Sequence, residues 1–99
     1  MPIHKGMIRR FVVADRSMEP TLRAGQGLLA TRLGRAKPGQ LRCFQRGDLW
    51  LVKRVSEVHP DGRMTVTADN PDGTDSRHFG AVSQAGSYRV LVAIPLRLM

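Results

Sequence analysis

The sequence predicts a single, mostly-β domain spanning residues 1–99, on three observations. Short segments alternate apolar with polar residues, Pro- and Gly-bearing turns separate them, and no window keeps a helical period over three turns. Met7 to Val13 mixes arginine with Ile, Phe and Val, as a half-buried strand would. Gly27 to Thr31 is a short apolar run flanked by glycines. Leu49 to Val58 is a longer strand rich in β-branched residues. Arg63 to Ala68 sets Met64, Val66 and Ala68 on one face and Thr65 and Thr67 on the other. Tyr88 to Ile94 puts Tyr88, Val90, Val92 and Ile94 together. His59-Pro60-Asp61-Gly62 and Asn70-Pro71-Asp72-Gly73 share one turn pattern, Pro second and Gly fourth. The first is expected to join Leu49–Val58 to Arg63–Ala68 as a hairpin.

Composition narrows the function. The apolar fraction of 41% suits a packed core, and the scarcity of aromatics makes that core aliphatic. The longest apolar run, Val90 to Leu96, is broken by Pro95 and falls well short of the ~20 residues of a membrane-spanning helix. Arg9 and Arg10 interrupt any signal-peptide-like stretch. A lone Cys43 excludes an internal disulfide and suits a reducing compartment, so a cytoplasmic location is expected. The net charge of +8 points toward anionic partners and leaves peripheral contact with a membrane surface open. The basic residues are dispersed, however, without an RNA-binding motif or zinc-finger spacing, so no specific nucleic-acid partner is expected. No glycine-rich phosphate loop calls for a cofactor. His4, His59 and His78 lack metal-ligand spacing. A calcium loop set on Gly73 would put Ala68 and Phe79 where carboxylates belong.

Three segments carry chemistry. Ser17 lies in Asp15-Arg16-Ser17-Met18-Glu19-Pro20-Thr21-Leu22, on a turn that Pro20 keeps out of a strand. There it is either an exposed nucleophile or a serine capping backbone N–H groups. Lys53 alternates with Leu49, Leu51 and Val55, while Arg54 faces the other way with Val52 and Val58. If the leucine face is the core face, Lys53 is desolvated and its pKa falls; otherwise it snorkels to water. A free lysine at pH 7 is neutral in only about one molecule in 2,500. Lowering its pKa by about 3 corresponds to ~4 kcal/mol, within the reach of burial. The neutral amine would then serve Ser17 as general base. In the third segment, Asp69 to Gly80, Asp75 and Arg77 are expected to form an ion pair that fixes the turn. His78 could approach the site, and Cys43 reads as a buried small hydrophobe.

Ser17-Met18-Glu19-Pro20-Thr21-Leu22, Lys53-Arg54-Val55, and Asp69-Asn70 with Asp75-Ser76-Arg77-x-x-Gly80 occur in the order found in signal peptidase I. Pro38-Gly39 matches that family's intervening turn. From about Val12 onward the chain resembles these Ser–Lys peptidases and, more distantly, LexA-type autoproteases. The resemblance implies a catalytic core of antiparallel sheets, acting on a protein or peptide substrate without a cofactor. It implies Ser17 as nucleophile and Lys53 as general base, with the Ser17 N–H in the oxyanion hole. It also places Met18, Leu22 and Val52 at a pocket for small side chains. The family's orienting serine falls on Gly73, which leaves Thr74 to supply that hydroxyl beside Asp75 and Arg77. Asp15 replaces the usual Gly or Ser, and is expected to turn away from the hole toward an arginine. Gln26 and Gln40 replace acidic turn residues. The family's membrane anchor and extra β-domain have no counterpart in this sequence. Short anchorless members, the maturation peptidases of nickel superoxide dismutase, are the nearest in pattern. A LexA-type role is disfavoured by the 16 residues before Ser17, too few for a helix-turn-helix. Two other readings are a peptide-binding module on the same fold and an anion- or nucleic-acid-binding module.

Overall fold

Seven strands form one antiparallel sheet in a computed structural model that describes residues 7–98. In chain order they are β1 (Ile8–Val12), β2 (Gly27–Thr31), β3 (Leu41–Arg46), β4 (Leu49–Val58), β5 (Arg63–Thr67), β6 (Val82–Ser83) and β7 (Tyr88–Ile94). A four-residue helix α1 (Ser76–Phe79) and a 3-10 turn at Leu96–Leu98 complete the chain. The sheet order is β1-β2-β7-β3-β4-β5-β6, so the expected antiparallel architecture is present as a single sheet. His4 lies outside the described residues.

The turns do what their residues dictate. Gly62 donates to His59 O at 3.1 Å, and Gly73 to Asn70 O at 2.9 Å. Both distances close the i to i+3 turns that Pro and Gly specify. The β3–β4 hairpin has only Gly47 and Asp48 between Arg46 and Leu49. Gly47 takes φ 63°, the left-handed value needed at the first position of a type II′ loop. β3 itself carries no clean alternation, because Arg42 is buried beside Cys43 and Phe44.

Two bulges reset the predicted faces. In β7, Leu29 pairs with Val92 but Ala30 pairs with Val90, leaving Leu91 unopposed. Val92 is consequently 52% exposed, while Val90 and Ala93 pack against the core. In β4 the register shifts between Val55 and Glu57, and Val58 joins the Val55 side rather than that of Arg54. The core divides into two clusters, in which the few aromatic residues join the aliphatic ones. One holds Val13, Met18, Leu22, Leu28, Ala30, Cys43 and Tyr88; the other holds Ala36, Phe44, Val55, Met64 and Val66.

Candidate active site

Ser17 sits on the turn after β1, closed by Glu19 N donating to Arg16 O at 3.1 Å and followed by a second turn in which Leu22 N donates to Met18 O at 2.9 Å. The Asp69–Asn70 segment fastens this turn from outside. Asn70 N donates to Ser17 O at 2.8 Å, and the Asn70 side chain donates to Arg16 O at 3.0 Å. Thr21 donates its hydroxyl proton to Asp69. Asp69 accepts a two-pronged pair from Arg54 of β4, Nε at 2.9 Å and Nη2 at 2.8 Å. Such forked pairing fixes orientation as well as distance. Arg54 thus ties the strand bearing Lys53 to the loop that holds Ser17.

Lys53 is 1% exposed and continues the buried face of Leu51 and Val55, while Leu49 at the strand's start is exposed. Its Nζ lies 2.6 Å from Ser17 Oγ. Burial pulls the Lys53 pKa below its ordinary value, and the carboxylates of Asp15 and Asp75 work against that pull. A buried lysine facing a serine hydroxyl is the pairing that general-base activation requires.

Asp15 differs from the expectation drawn from the sequence. Its Oδ1 accepts from the Ser17 backbone N–H at 3.0 Å and from the Ser17 hydroxyl at 2.8 Å. It turns toward Ser17, not toward an arginine. Aspartate two residues before a turn N–H readily forms such an Asx turn, a signal present in the sequence. Burial acts to raise the Asp15 carboxyl, but the two Ser17 hydrogen bonds and the Lys53 charge hold it below the usual value. The Ser17 hydroxyl thus donates to the Asp15 carboxylate while its Oγ accepts from Lys53 Nζ. The N–H assigned to the oxyanion hole is occupied by a carboxylate.

Gly73 packs directly on Ser17. A Cβ there would lie 2.8 Å from Ser17 Cβ, 2.9 Å from Ser17 Cα and 2.8 Å from Ala68 Cβ. No orienting hydroxyl fits at this position. Gly73→Ser is expected to destabilise the fold by ~1–3 kcal/mol, as overpacked substitutions do, and to displace Ser17. Urea unfolding checks the stability. Thr74 does not replace the missing hydroxyl: it is exposed and forms no hydrogen bond with Lys53. It lines an outer groove with Leu49, His78 and Phe79.

Asp75 is 1% exposed and forms the expected pair with Arg77, Oδ1 to Nε at 2.9 Å. It caps α1 and accepts from Ala68 N at 3.0 Å and Arg77 N at 3.0 Å. His78 is consumed in the same cap, Nδ1 accepting from Asp75 N, and does not reach Ser17. Against burial, which would raise it, these hydrogen bonds hold the Asp75 carboxyl down to about 2. Since the folded value lies below the unfolded one, the stabilisation is full above about pH 4 and fades as pH falls toward 2. It amounts to ~2 kcal/mol. Asp75→Asn is therefore expected to lower stability at pH 7 by about that amount and to flatten the acid-side loss, read by urea unfolding at pH 7 and about pH 3.

A narrow pocket of about 40 Å³ runs beside Asp15, lined by Val12, Val13, Ala14, Trp50 and Val52. Val52 is the one of the three expected pocket residues in this lining. Met18 and Leu22 are not in the lining; both are 1% exposed and belong to the core cluster behind it. Phe11, Trp50 and Tyr88 stack near the pocket at centroid separations of 5.0 to 5.9 Å, and the Arg9 guanidinium lies 4.6 Å over Trp50. Cys43, also in the lining, has its thiol pushed up by burial to about 12, so it is inert as a nucleophile. Trp50, Ala14 and Cys43 were not picked out as pocket residues from the sequence, since strand packing alone brings them together. Comparison with known proteins finds no family model and no curated protein that matches the chain.

Proposed function

We propose that this protein is a serine endopeptidase that removes a leader or propeptide from a protein substrate, using Ser17 and Lys53. The observation that carries the reading is the 2.6 Å contact of a buried Lys53 Nζ with Ser17 Oγ. Neutral Lys53 takes the hydroxyl proton as Ser17 Oγ attacks the scissile carbonyl carbon. The resulting oxyanion accepts from the Ser17 N–H once the Asp15 carboxylate has moved aside. Lys53 then delivers the proton to the departing amine, leaving an ester on Ser17. A water that gives its proton to Lys53 then attacks the ester, and Lys53 returns that proton to Ser17 Oγ as the acid leaves.

β1 lies at the edge of the sheet, which supports a substrate laid along it as an added strand. The narrow pocket beside Asp15 favours Ala or Gly before the cut bond. The test is mass spectrometry of a diverse peptide library incubated with the wild type and with Ser17→Ala. Wild-type-only cleavage after small residues supports the peptidase. Cleavage that survives Ser17→Ala refutes Ser17 as nucleophile.

One observation favours a second reading, a peptide-binding module without turnover: Asp15 occupies the N–H that catalysis needs. This reading gains if peptides bind wild type and Ser17→Ala alike and no product forms with either.

A further inference from the structure

On β3 and β7 two arginines, Arg42 and Arg89, are direct cross-strand partners. Like charges so placed repel, and burial makes the repulsion harder to screen. Arg42 is 2% exposed; its Nε and Nη2 donate to Ser87, Oγ at 2.9 Å and O at 3.4 Å, and its Nη1 donates to Gln40 Oε1 at 3.1 Å. Burial first, and then the Arg89 charge, pull its pKa below the ordinary arginine value.

Arg89 has no such support. Its Nε is buried and lacks a hydrogen-bond partner, the one side-chain atom of this kind among the described residues. A cavity of about 380 Å³ opens beside it, lined also by Leu33, Arg35, Lys37 and Gln40. Among the described residues, no carboxylate forms an ion pair with Arg35, Lys37, Arg42 or Arg89. Gln40 Oε1 is taken by Lys37 N and Arg42, so only its amide N–H groups remain to face a ligand. The cavity therefore presents donors and positive charge with no internal compensation.

We propose that this cavity is a binding site for the terminal phosphate of a small phosphate monoester. A phosphate monoester carries about −1.5 to −2 charge at neutral pH and offers three acceptor oxygens, enough for the guanidinium of Arg89 together with Lys37 and Arg35. A carboxylate supplies one charge and two oxygens, and a phosphodiester one charge in a linked chain. The concave shape suits a compact group with a short substituent packed on Leu33. The site is independent of Ser17 and Lys53, so it stands or falls separately from the peptidase reading.

The test follows the Arg89 Nε–H resonance by NMR while inorganic phosphate, glycerol 3-phosphate, or an oligonucleotide lacking terminal phosphates is added. Calorimetry of Arg89→Gln and of the exposed Lys37→Gln supplies affinities for both variants. The expected result is a saturable shift with both phosphate ligands, with about tenfold weaker binding for Arg89→Gln and about threefold for Lys37→Gln. No shift by ~20 mM phosphate, or an equal shift with chloride at matched ionic strength, would overturn the site. Tighter saturation by the oligonucleotide than by glycerol 3-phosphate would overturn the monoester assignment in favour of nucleic acid. Unchanged affinity in a folded Lys37→Gln together with unchanged affinity in Arg89→Gln would also defeat it.

Discussion

Replacing Ser17 by Ala or Lys53 by Met is expected to lower cleavage at least about a thousandfold, since either change removes the proposed nucleophile or its proposed base. The two variants should differ in stability, which separates chemistry from folding. Lys53→Met exchanges a desolvated ammonium for an apolar chain of similar shape, a change that is often neutral or stabilising. Ser17→Ala instead leaves the buried Lys53 without its hydroxyl partner, for a loss of about 1–2 kcal/mol. The double variant should be no slower than either single one, because the pair acts as a unit. Residual cleavage at a tenth of the wild-type rate in Lys53→Met would remove Lys53 from the mechanism. Assays use the best library peptide, with folded protein verified by circular dichroism.

Asp15→Gly is expected to speed cleavage at pH 7 by at least about tenfold. The side chain has two effects, and both oppose catalysis. It occupies the Ser17 N–H, and one oxyanion donor is worth about 10²–10³ in rate. Its charge also favours the ammonium form of Lys53. Removing that charge lets burial lower the Lys53 pKa further, so the neutral fraction at pH 7 grows. The midpoint of the rising limb of the rate profile should then move to lower pH. Asp15→Asn, which keeps an acceptor but loses the charge, should show the pH shift with a smaller gain in rate. A slower Asp15→Gly with an unmoved profile would mean that Asp15 positions Ser17 productively.

Five of the strands were legible in the sequence, two from regular alternation and the others from apolar or β-branched runs bounded by turn residues. β3 escaped because its buried face includes Arg42, whose hydrogen bonds to Ser87 and Gln40 are made across the fold. The faces of β7 and the end of β4 were misread at Leu91 and Ser56, where one extra residue reverses the alternation. Ser17 and Lys53 stood out through local motifs; the strand pattern grouped Lys53 with Leu51 and Val55 but left open whether that face was the buried one, which the structure shows it is. What surrounds them was less visible. Gly73 is small because Ser17, distant in sequence, packs onto it. Met18 and Leu22 fill the core rather than the pocket, since the turn that carries Ser17, itself only 7% exposed, folds its neighbours inward. Asp15 was recognisable as an Asx-turn former, but its carboxylate had to be seen against Ser17 to be read as a restraint on the nucleophile.

The most direct test of the account is an NMR pH titration of Lys53, observed at the side-chain carbon next to Nζ, in wild type and Asp15→Gly. It needs no substrate. A wild-type midpoint below the ordinary lysine value of about 10.4, and a lower one still in Asp15→Gly, is the predicted result. A midpoint at or above that value in both proteins would contradict it, because Lys53 would then remain an ammonium ion at neutral pH and could not serve Ser17 as a base.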